Sequence, residues 1–320
     1  MKPKVTAKDF QVAHANDWCP GCGDFGILTS LQQALAGLEL EPHDVAVFGG
    51  IGCSGKAQYQ VNAYGVSTLH GRVLPFATGA KLTNPDLEVV IVGGDGDGLG
   101  IGAGHFVNAG RRNLDMAYIL FNNEVYGLTK GQASPTLPLG LQPKSLPEPN
   151  LQSAINPLLL ALASGFTWIG RGYAFHVPKL VELIKQAIQH EGLAYLDVLQ
   201  PCPTYNNLHD KDWFAGMDMA EPQPRVYYLS EDYDPRVPED ADEETLSARM
   251  GAFVAKANEW GDRIPLGVFL ENRSPATFEE RIQSRIESYR AAPPAQRSIA
   301  DEKGRPTADL TSVFEELAMT

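Results

Sequence analysis

One stretch limits the fold more than any other: LEVVIVGGDGDGLG, residues 87–100. An unbroken apolar run is buried on both faces if it is a strand, and it passes straight into glycines and aspartates. The pattern recurs. DVAVFGG (44–50), LDMAYILF (114–121) and LAYLDVLQPC (193–202) are further apolar runs of strand length. FTWIGRGYA (166–174) and IPLGVFLE (264–271) are weaker ones. Between them lie helical patterns. FGILTSLQQALAGL (25–38) repeats apolar residues at helical spacing, and VPKLVELIKQAIQHEG (177–192) opens on Pro178 and stops at Gly192. GLGIGAGHFVNAGRRN, AINPLLLALASG, ETLSARMGAFVAKANEW and ATFEERIQSRIESYR read as four more helices. Strands alternating with helices predict an α/β protein whose parallel sheet is covered on both faces. Right-handed crossovers then bring the carboxyl ends of the strands to one rim, where open α/β sheets bind ligands. Cys53, Asp95, Asn123 and Cys202 each follow one of these strands.

The chain of 320 residues carries a net charge of −13, which argues against a nucleic-acid partner. The longest apolar runs are well short of the roughly 20 residues of a membrane helix. The start MKPKVTAKDF lacks the apolar core of a secretory signal, so a cytoplasmic location is expected. Past residue 205 the pattern thins. LSEDYDPRVPEDADEE reads as an acidic linker, which suggests a main domain over 1–230 and a C-terminal extension over 231–320. The last 30 or so residues, from APPAQRS, read as an extended tail or an arm that wraps a partner.

Two features carry chemistry. For GGDGDGLG the plainest expectation is a glycine-rich phosphate loop of some nucleotide binder. A second half, FNNEVYG (121–127), follows the next strand and places Asn123 28 positions after Asp95. Asp95 alone can be a helix cap, and Asn122-Asn123 a turn. The four cysteines are Cys19, Cys22, Cys53 and Cys202. In a cytoplasmic chain such cysteines are ligands or catalysts more often than disulfides. WCPGCG by itself leaves a redox dithiol, a zinc site and an iron–sulfur site open, and Cys202 alone reads equally well as a small buried hydrophobe.

GDG followed by NN resembles the thiamine diphosphate motif. The wider order resembles the β subunit of 2-oxoacid:ferredoxin oxidoreductases: WCPGCG, GIGCSGK (50–56), GDGDG, NNEVYGLTKGQ, then PCPTYN (201–206). LHGRVLPFATGAKLTNPDL is similar to the 2-oxoglutarate members. The resemblance implies thiamine diphosphate held through Mg²⁺ by Asp95, Asn123 and the Val125 carbonyl, oxygen ligands of the kind magnesium takes. It implies one four-iron four-sulfur cluster on Cys19, Cys22, Cys53 and Cys202, for which thiolates are suited. Gly94, Gly96 and Asp97 would lie by the diphosphate, with Gly127 and Thr129. The stretch 51–56 (IGCSGK), with Ile51, Gly52, Cys53 and Ser54, would line the aminopyrimidine and substrate side. Lys56 corresponds to a substrate contact, with Leu128 shaping the pocket beside it. His70 is a candidate polar contact at the cofactor; a packed core histidine is the competing reading.

The activity implied is oxidative decarboxylation of 2-oxoglutarate with coenzyme A to succinyl-CoA and CO₂, with ferredoxin reduced, and it is reversible. Pyruvate and branched-chain members share these motifs. A non-catalytic iron–sulfur carrier or sensor would have no need of Asp95 and Asn123. The resemblance also implies an α subunit that supplies the activating glutamate and part of the substrate pocket, in a dimer of αβ heterodimers. Lys2, Lys4 and Lys8 form a basic arm ahead of the first cysteines and are expected to help steer ferredoxin.

Overall fold

The computed structural model describes residues 4–309 and 311–318. The strands are β1 (Val45–Gly49), β2 (Tyr64–Ser67), β3 (Glu88–Gly94), β4 (Met116–Asn122), β5 (Val125–Tyr126), β6 (Gln132–Ala133), β7 (Trp168–Tyr173), β8 (Leu193–Leu199), β9 (Val226–Tyr228), β10 (Arg236–Val237) and β11 (Ile264–Asn272). The helices are α1 (Asp24–Gly37), α2 (Val73–Thr83), α3 (Ala103–Gly110), α4 (Pro157–Ser164), α5 (Val177–Ile188), α6 (Lys211–Phe214), α7 (Glu243–Ala257), α8 (Phe278–Gln283) and α9 (Thr311–Leu317).

The main sheet has the order β10-β11-β7-β8-β4-β3-β1-β2, with β9 paired to β11. Its pairs are parallel except β11 on β7, which is antiparallel. Every residue of β1, β4, β7 and β8 is buried, as the continuous apolar runs require. One core holds Ile27 and Leu31 of α1 with Leu180 and Ile184 of α5 against Val47, Ile119 and Val198. The other holds Leu74, Phe106, Leu158 and Phe253, from α2, α3, α4 and α7, against Phe48, Ile91 and Tyr195. The α/β architecture with both faces covered is the one expected.

Three expected elements differ. GLGIGAGHFVNAGRRN is not one helix: a wide turn over Gly96–Ile101 precedes α3, and Gly100 leaves helical geometry at φ −84°, ψ −107°. The glycines are shaped to tyrosine rings. A Cβ at Gly96 would stand 2.3 Å from the Tyr126 ring, and one at Gly98 2.1 Å from the Tyr118 hydroxyl. ATFEERIQSRIESYR is helical only over Phe278–Gln283, capped by Thr277 with Glu280. β2 and α2 lie in a stretch that gives no strand or helix signal. β2 is an edge strand with mostly exposed residues, so it lacks an apolar run.

Past residue 230, β10 and β11 join the main sheet, and residues 275–281 dock at the amino ends of its strands. The Phe278 amide donates to the Asn113 carbonyl at 3.0 Å. Lys4 and Lys8 are exposed; Lys2 lies outside the described residues. Among the described residues no helix is long and apolar enough to cross a membrane.

Candidate active site

The neighbours β8, β4, β3 and β1 deliver four loops side by side at one rim, and these, with the turn before α1 and the loop after β2, hold the expected residues. Two cavities open there. The larger, about 240 Å³, is lined by all fourteen residues expected to hold the cofactor, together with Tyr126. The smaller, about 170 Å³, is lined by all four cysteines, by Lys56 and by Asp17 and Trp18. Cys53, Asn123, Gly127 and Leu128 line both.

Asp95 is held from three sides in the larger cavity. It is 1 % exposed. Its Oδ2 accepts from the Glu124 amide (3.0 Å), the Ser134 hydroxyl (2.5 Å) and the Thr136 hydroxyl (2.5 Å). Glu124 reaches it from a left-handed backbone, φ 65°. Burial lifts the Asp95 carboxyl to about 6, and the two hydroxyls oppose the rise. Among the described residues Oδ1 receives no side-chain donor, so three donors fix one oxygen and no side chain holds its twin. Asn123 is oriented by its Nδ2 donating to Gln200 Oε1 (2.8 Å) and its Oδ1 accepting the Val125 amide (3.1 Å).

Asp97 lines the same cavity and is held by the protein through one oxygen, while among the described residues its Oδ2 is buried without a hydrogen bond. Its Oδ1 takes the amides of Ile51 (3.0 Å) and Gly71 (2.8 Å) and pairs with His70 Nδ1 (2.8 Å). It laces the loops after β1 and β2 to the glycine turn. A carboxylate accepts only, so His70 Nδ1 carries the proton of that bond. The imidazole is therefore a held wall of the cavity, steeply inclined to Tyr126 with centroids 6.1 Å apart. The Thr129 hydroxyl is exposed and bonded to Gln132 Oε1 at 2.5 Å.

The cysteines come from three loops. Cys19-Pro20-Gly21-Cys22 is a tight turn: the Cys22 amide donates to the Cys19 carbonyl (3.0 Å), and Gly21 has φ 79°. Proline then glycine at the centre is what such a turn needs. The turn is pinned to the Cys202 loop by Gly23 N–H on the Pro201 carbonyl (3.2 Å) and by Gln200 Nε2 on Cys22 Sγ (3.3 Å). Trp18 Nε1 holds the Cys53 carbonyl at 2.8 Å. Gly127 roofs two thiols: a Cβ there would lie 3.5 Å from Cys53 Sγ and 4.0 Å from Cys202 Sγ. Burial raises the Cys22 and Cys202 thiols and pushes Cys53 up to about 11. Buried Asp24, itself lifted to about 7 by burial, adds to the rise at all three. All four cysteines are free. Among the described residues no three His, Cys, Asp or Glu side chains converge on a single ion position. The thiols stand around a space instead.

Residues 50–198 match the model of the thiamine pyrophosphate enzyme C-terminal TPP-binding domain. Residues 202–286 match the model of the C-terminal part of the pyruvate ferredoxin oxidoreductase beta chain. A 2-oxoacid:ferredoxin oxidoreductase β subunit from Saccharolobus solfataricus is 52% identical over 95% of this chain and 97% of its own length. The chain belongs to the β subunits of the 2-oxoacid:ferredoxin oxidoreductases. Every residue that lines the larger cavity lies inside the matched TPP-binding domain. The 2-oxoglutarate oxidoreductase subunit KorB of Mycobacterium tuberculosis is 42% identical over 62% of this chain and 54% of its own. The solved 2-oxoglutarate:ferredoxin oxidoreductase from Magnetococcus marinus has a TM-score of 0.78 at 33% identity, covering 98% of this chain and 97% of that one.

Lys56 lies in the cysteine cavity and not in the larger one, its Nζ 2.7 Å from Asp17 Oδ2. Leu128, 48% exposed, stands on the shared wall. Sequence reasoning misses Tyr126, Asp17, Asp24, Ser134 and Thr136. Tyr126 stands inside the NNEVYG motif and Asp24 close to Cys22, so both had a signal. Ser134 and Thr136 come from a loop with no pattern to read.

Proposed function

We propose that this β subunit, joined to an α subunit, converts 2-oxoglutarate and coenzyme A to succinyl-CoA and CO₂ and passes two electrons, one at a time, to ferredoxin. Bound thiamine diphosphate supplies a nucleophilic carbon and an electron sink for the decarboxylation. Oδ1 of Asp95, the Asn123 amide oxygen and the Val125 carbonyl would hold its Mg²⁺, as hard oxygen donors do. Cys19, Cys22, Cys53 and Cys202 would hold one four-iron four-sulfur cluster. A cavity with thiols on its walls suits a many-atom cluster better than a tetrahedral ion, whose four ligands must meet at one point. The observation that carries the reading is the shared wall: Cys53, Gly127 and Leu128 face both cavities, so the two groups would be neighbours.

The preference for a diacid rests on Lys56. Its ammonium is engaged by the exposed Asp17 and can exchange that carboxylate for one on the substrate, as a mobile point charge. Leu128 offers the apolar side. The test is an anaerobic assay of the αβ complex on 2-oxoglutarate, pyruvate, 2-oxobutyrate and a branched-chain 2-oxoacid, with coenzyme A and a viologen. Lys56→Ala is expected to lower kcat/KM for 2-oxoglutarate by about tenfold to a few hundredfold, the loss of one charge-assisted contact. The 2-oxobutyrate rate should hold. Equal loss on both acids would move Lys56 to the carboxylate they share. A complex most active on pyruvate would end the 2-oxoglutarate assignment.

A further inference from the structure

Gln200 stands at the exit of β8, two residues before Cys202. It is 1 % exposed, and both polar atoms of its side chain are engaged. Oε1 accepts from Asn123 Nδ2 at 2.8 Å. Nε2 donates to the Pro201 carbonyl at 2.8 Å and to Cys22 Sγ at 3.3 Å. Its main chain is fixed as well, the amide donating to the Asn122 carbonyl at 2.8 Å. One side chain thus meets a proposed Mg²⁺ ligand with its acceptor and a proposed cluster ligand with its donor. The sequence leaves room for it: a Cβ at Gly23, the closing glycine of WCPGCG, would stand 2.9 Å from Gln200 Cγ.

The surroundings set which way this amide points. A carbonyl only accepts, so Pro201 draws the nitrogen and Oε1 is left to Asn123. Asn123 must then offer Nδ2 to Gln200. A flipped Asn123 would press its oxygen against Oε1, two buried acceptors with no proton between them, which is costly. At the other end, a thiolate bound to iron can only accept. The N–H aimed at it favours the more negative, reduced cluster, and hydrogen bonds to the sulfurs are one of the levers that set a cluster's potential.

We propose that Gln200 is a positioning residue for both groups: it keeps the Asn123 amide from flipping, so that Oδ1 is the atom offered to Mg²⁺, and it raises the reduction potential of the cluster through its N–H···S bond to Cys22. This rests on the reading of Asn123 and Cys22 as ligands given above.

Two variants of the αβ complex, purified anaerobically, separate the contacts. Gln200→Glu keeps an acceptor for Asn123 and loses the amide donor to Cys22. Gln200→Met, of similar length, loses both. The cluster is titrated redox-chemically by EPR, and thiamine diphosphate with Mg²⁺ is titrated calorimetrically into thiamine-free complex. At the potential that half-reduces the parent cluster, both variants should show a reduced-to-oxidised ratio about tenfold lower, a downward shift of about 59 mV for one electron. Thiamine diphosphate affinity should hold within about twofold in Gln200→Glu and fall about tenfold in Gln200→Met, the loss of one buried hydrogen bond. Either variant can lose its cluster on folding, so the parent gives a second reading. With glutamine side chains labelled with ¹⁵N, pulsed EPR of the reduced cluster should show coupling to one amide nitrogen. Parent-like midpoints in iron-replete variants, or no ¹⁵N coupling, would overturn the bond to Cys22. Parent-like affinity in Gln200→Met would overturn the hold on Asn123. These outcomes leave the proposed function standing, whereas a parent complex that holds neither iron nor thiamine diphosphate would end both.

Discussion

The two rims of the main sheet bury polar side chains equally well and use them in opposite ways. At the amino ends of the strands, Asn113 is 4 % exposed with a left-handed backbone, φ 56°. Its Oδ1 accepts the Thr167 hydroxyl and the Leu193 amide, both at 2.8 Å, and its Nδ2 reaches the Pro275 carbonyl at 3.3 Å. One amide thus ties the entries of β4, β7 and β8 to the C-terminal segment. Lys81 beside it spans the Leu87 carbonyl (3.0 Å) and Asp115 (3.2 Å). These bonds close on the protein. At the carboxyl ends Asp95 has one oxygen saturated and the other without a side-chain donor among the described residues, and four free thiols surround a space. Burial is therefore no mark of function here. What separates the rims is whether the buried groups answer each other or face a cavity.

Substitution should break the rims apart. The largest effect is expected for Asp95→Ala. It removes the only carboxylate among the proposed Mg²⁺ ligands and should weaken thiamine diphosphate by more than about a hundredfold. Iron content per folded chain should stay near that of the parent, while the thermal midpoint falls, since the Glu124 amide and the Ser134 and Thr136 hydroxyls lose their buried acceptor. Full thiamine occupancy in the purified variant would make Asp95 one more structural acid. Cys202→Ala comes next. It should cost most of the iron in anaerobically purified complex and alter the reduced-state EPR signal while thiamine diphosphate still binds. Unchanged iron would return Cys202 to the core. Asn113→Ala tests the other rim and reverses the pattern. Losing three buried bonds at a left-handed residue should cost about 2–4 kcal/mol of stability by denaturant titration, with cofactor content per folded chain unchanged.

The carboxyl-end rim is legible in the sequence because its residues sit in contiguous stretches directly after apolar strands. Chain order alone puts Asp95, Asn123, Cys53 and Cys202 on one face. What stays hidden comes from partners remote in sequence. Ser134 and Thr136 hold Asp95 from a loop without periodicity. Asp97 reads as a phosphate contact; it lines the cavity, and its Oδ1 also ties Ile51, His70 and Gly71 together, which no spacing could announce. The glycines of GDGDG read as room for a diphosphate; three-dimensional packing shows they are also room for Tyr126 and Tyr118. Lys56 reads as a substrate contact on the thiamine side and stands in the cysteine cavity, because the turn after Cys53 carries it past the shared wall. The amino-end rim is illegible altogether: Asn113, Thr167 and His190 are ordinary polar residues just before strands.

The smallest effect sharpens the comparison most, because it concerns a rim that should be deaf to cofactor. His190, 1 % exposed, has Nε2 2.8 Å from the Thr167 hydroxyl. That hydroxyl gives its proton to Asn113 Oδ1, so Nε2 must be the donor and Nδ1 is left bare, buried without a partner. Burial lowers this imidazole from 6.5 to about 4, with nearby Arg273 acting the same way. The folded state therefore resists the proton that the unfolded chain accepts. Across the window from 6.5 down to 4 the unfolded state binds more protons, so stability falls as pH falls. At pH 5.5 the loss from this one residue is about 1 kcal/mol relative to neutral pH. His190→Gln keeps a side-chain amide that can donate to Thr167 and removes the titration. Its denaturation midpoint should fall less than the parent's between pH 7 and 5.5, with thiamine diphosphate and iron content matching the parent at both. Parallel pH profiles would mean that His190 is not held neutral. A change in cofactor content would mean that the two rims are coupled through the sheet, and the division drawn between them would fail.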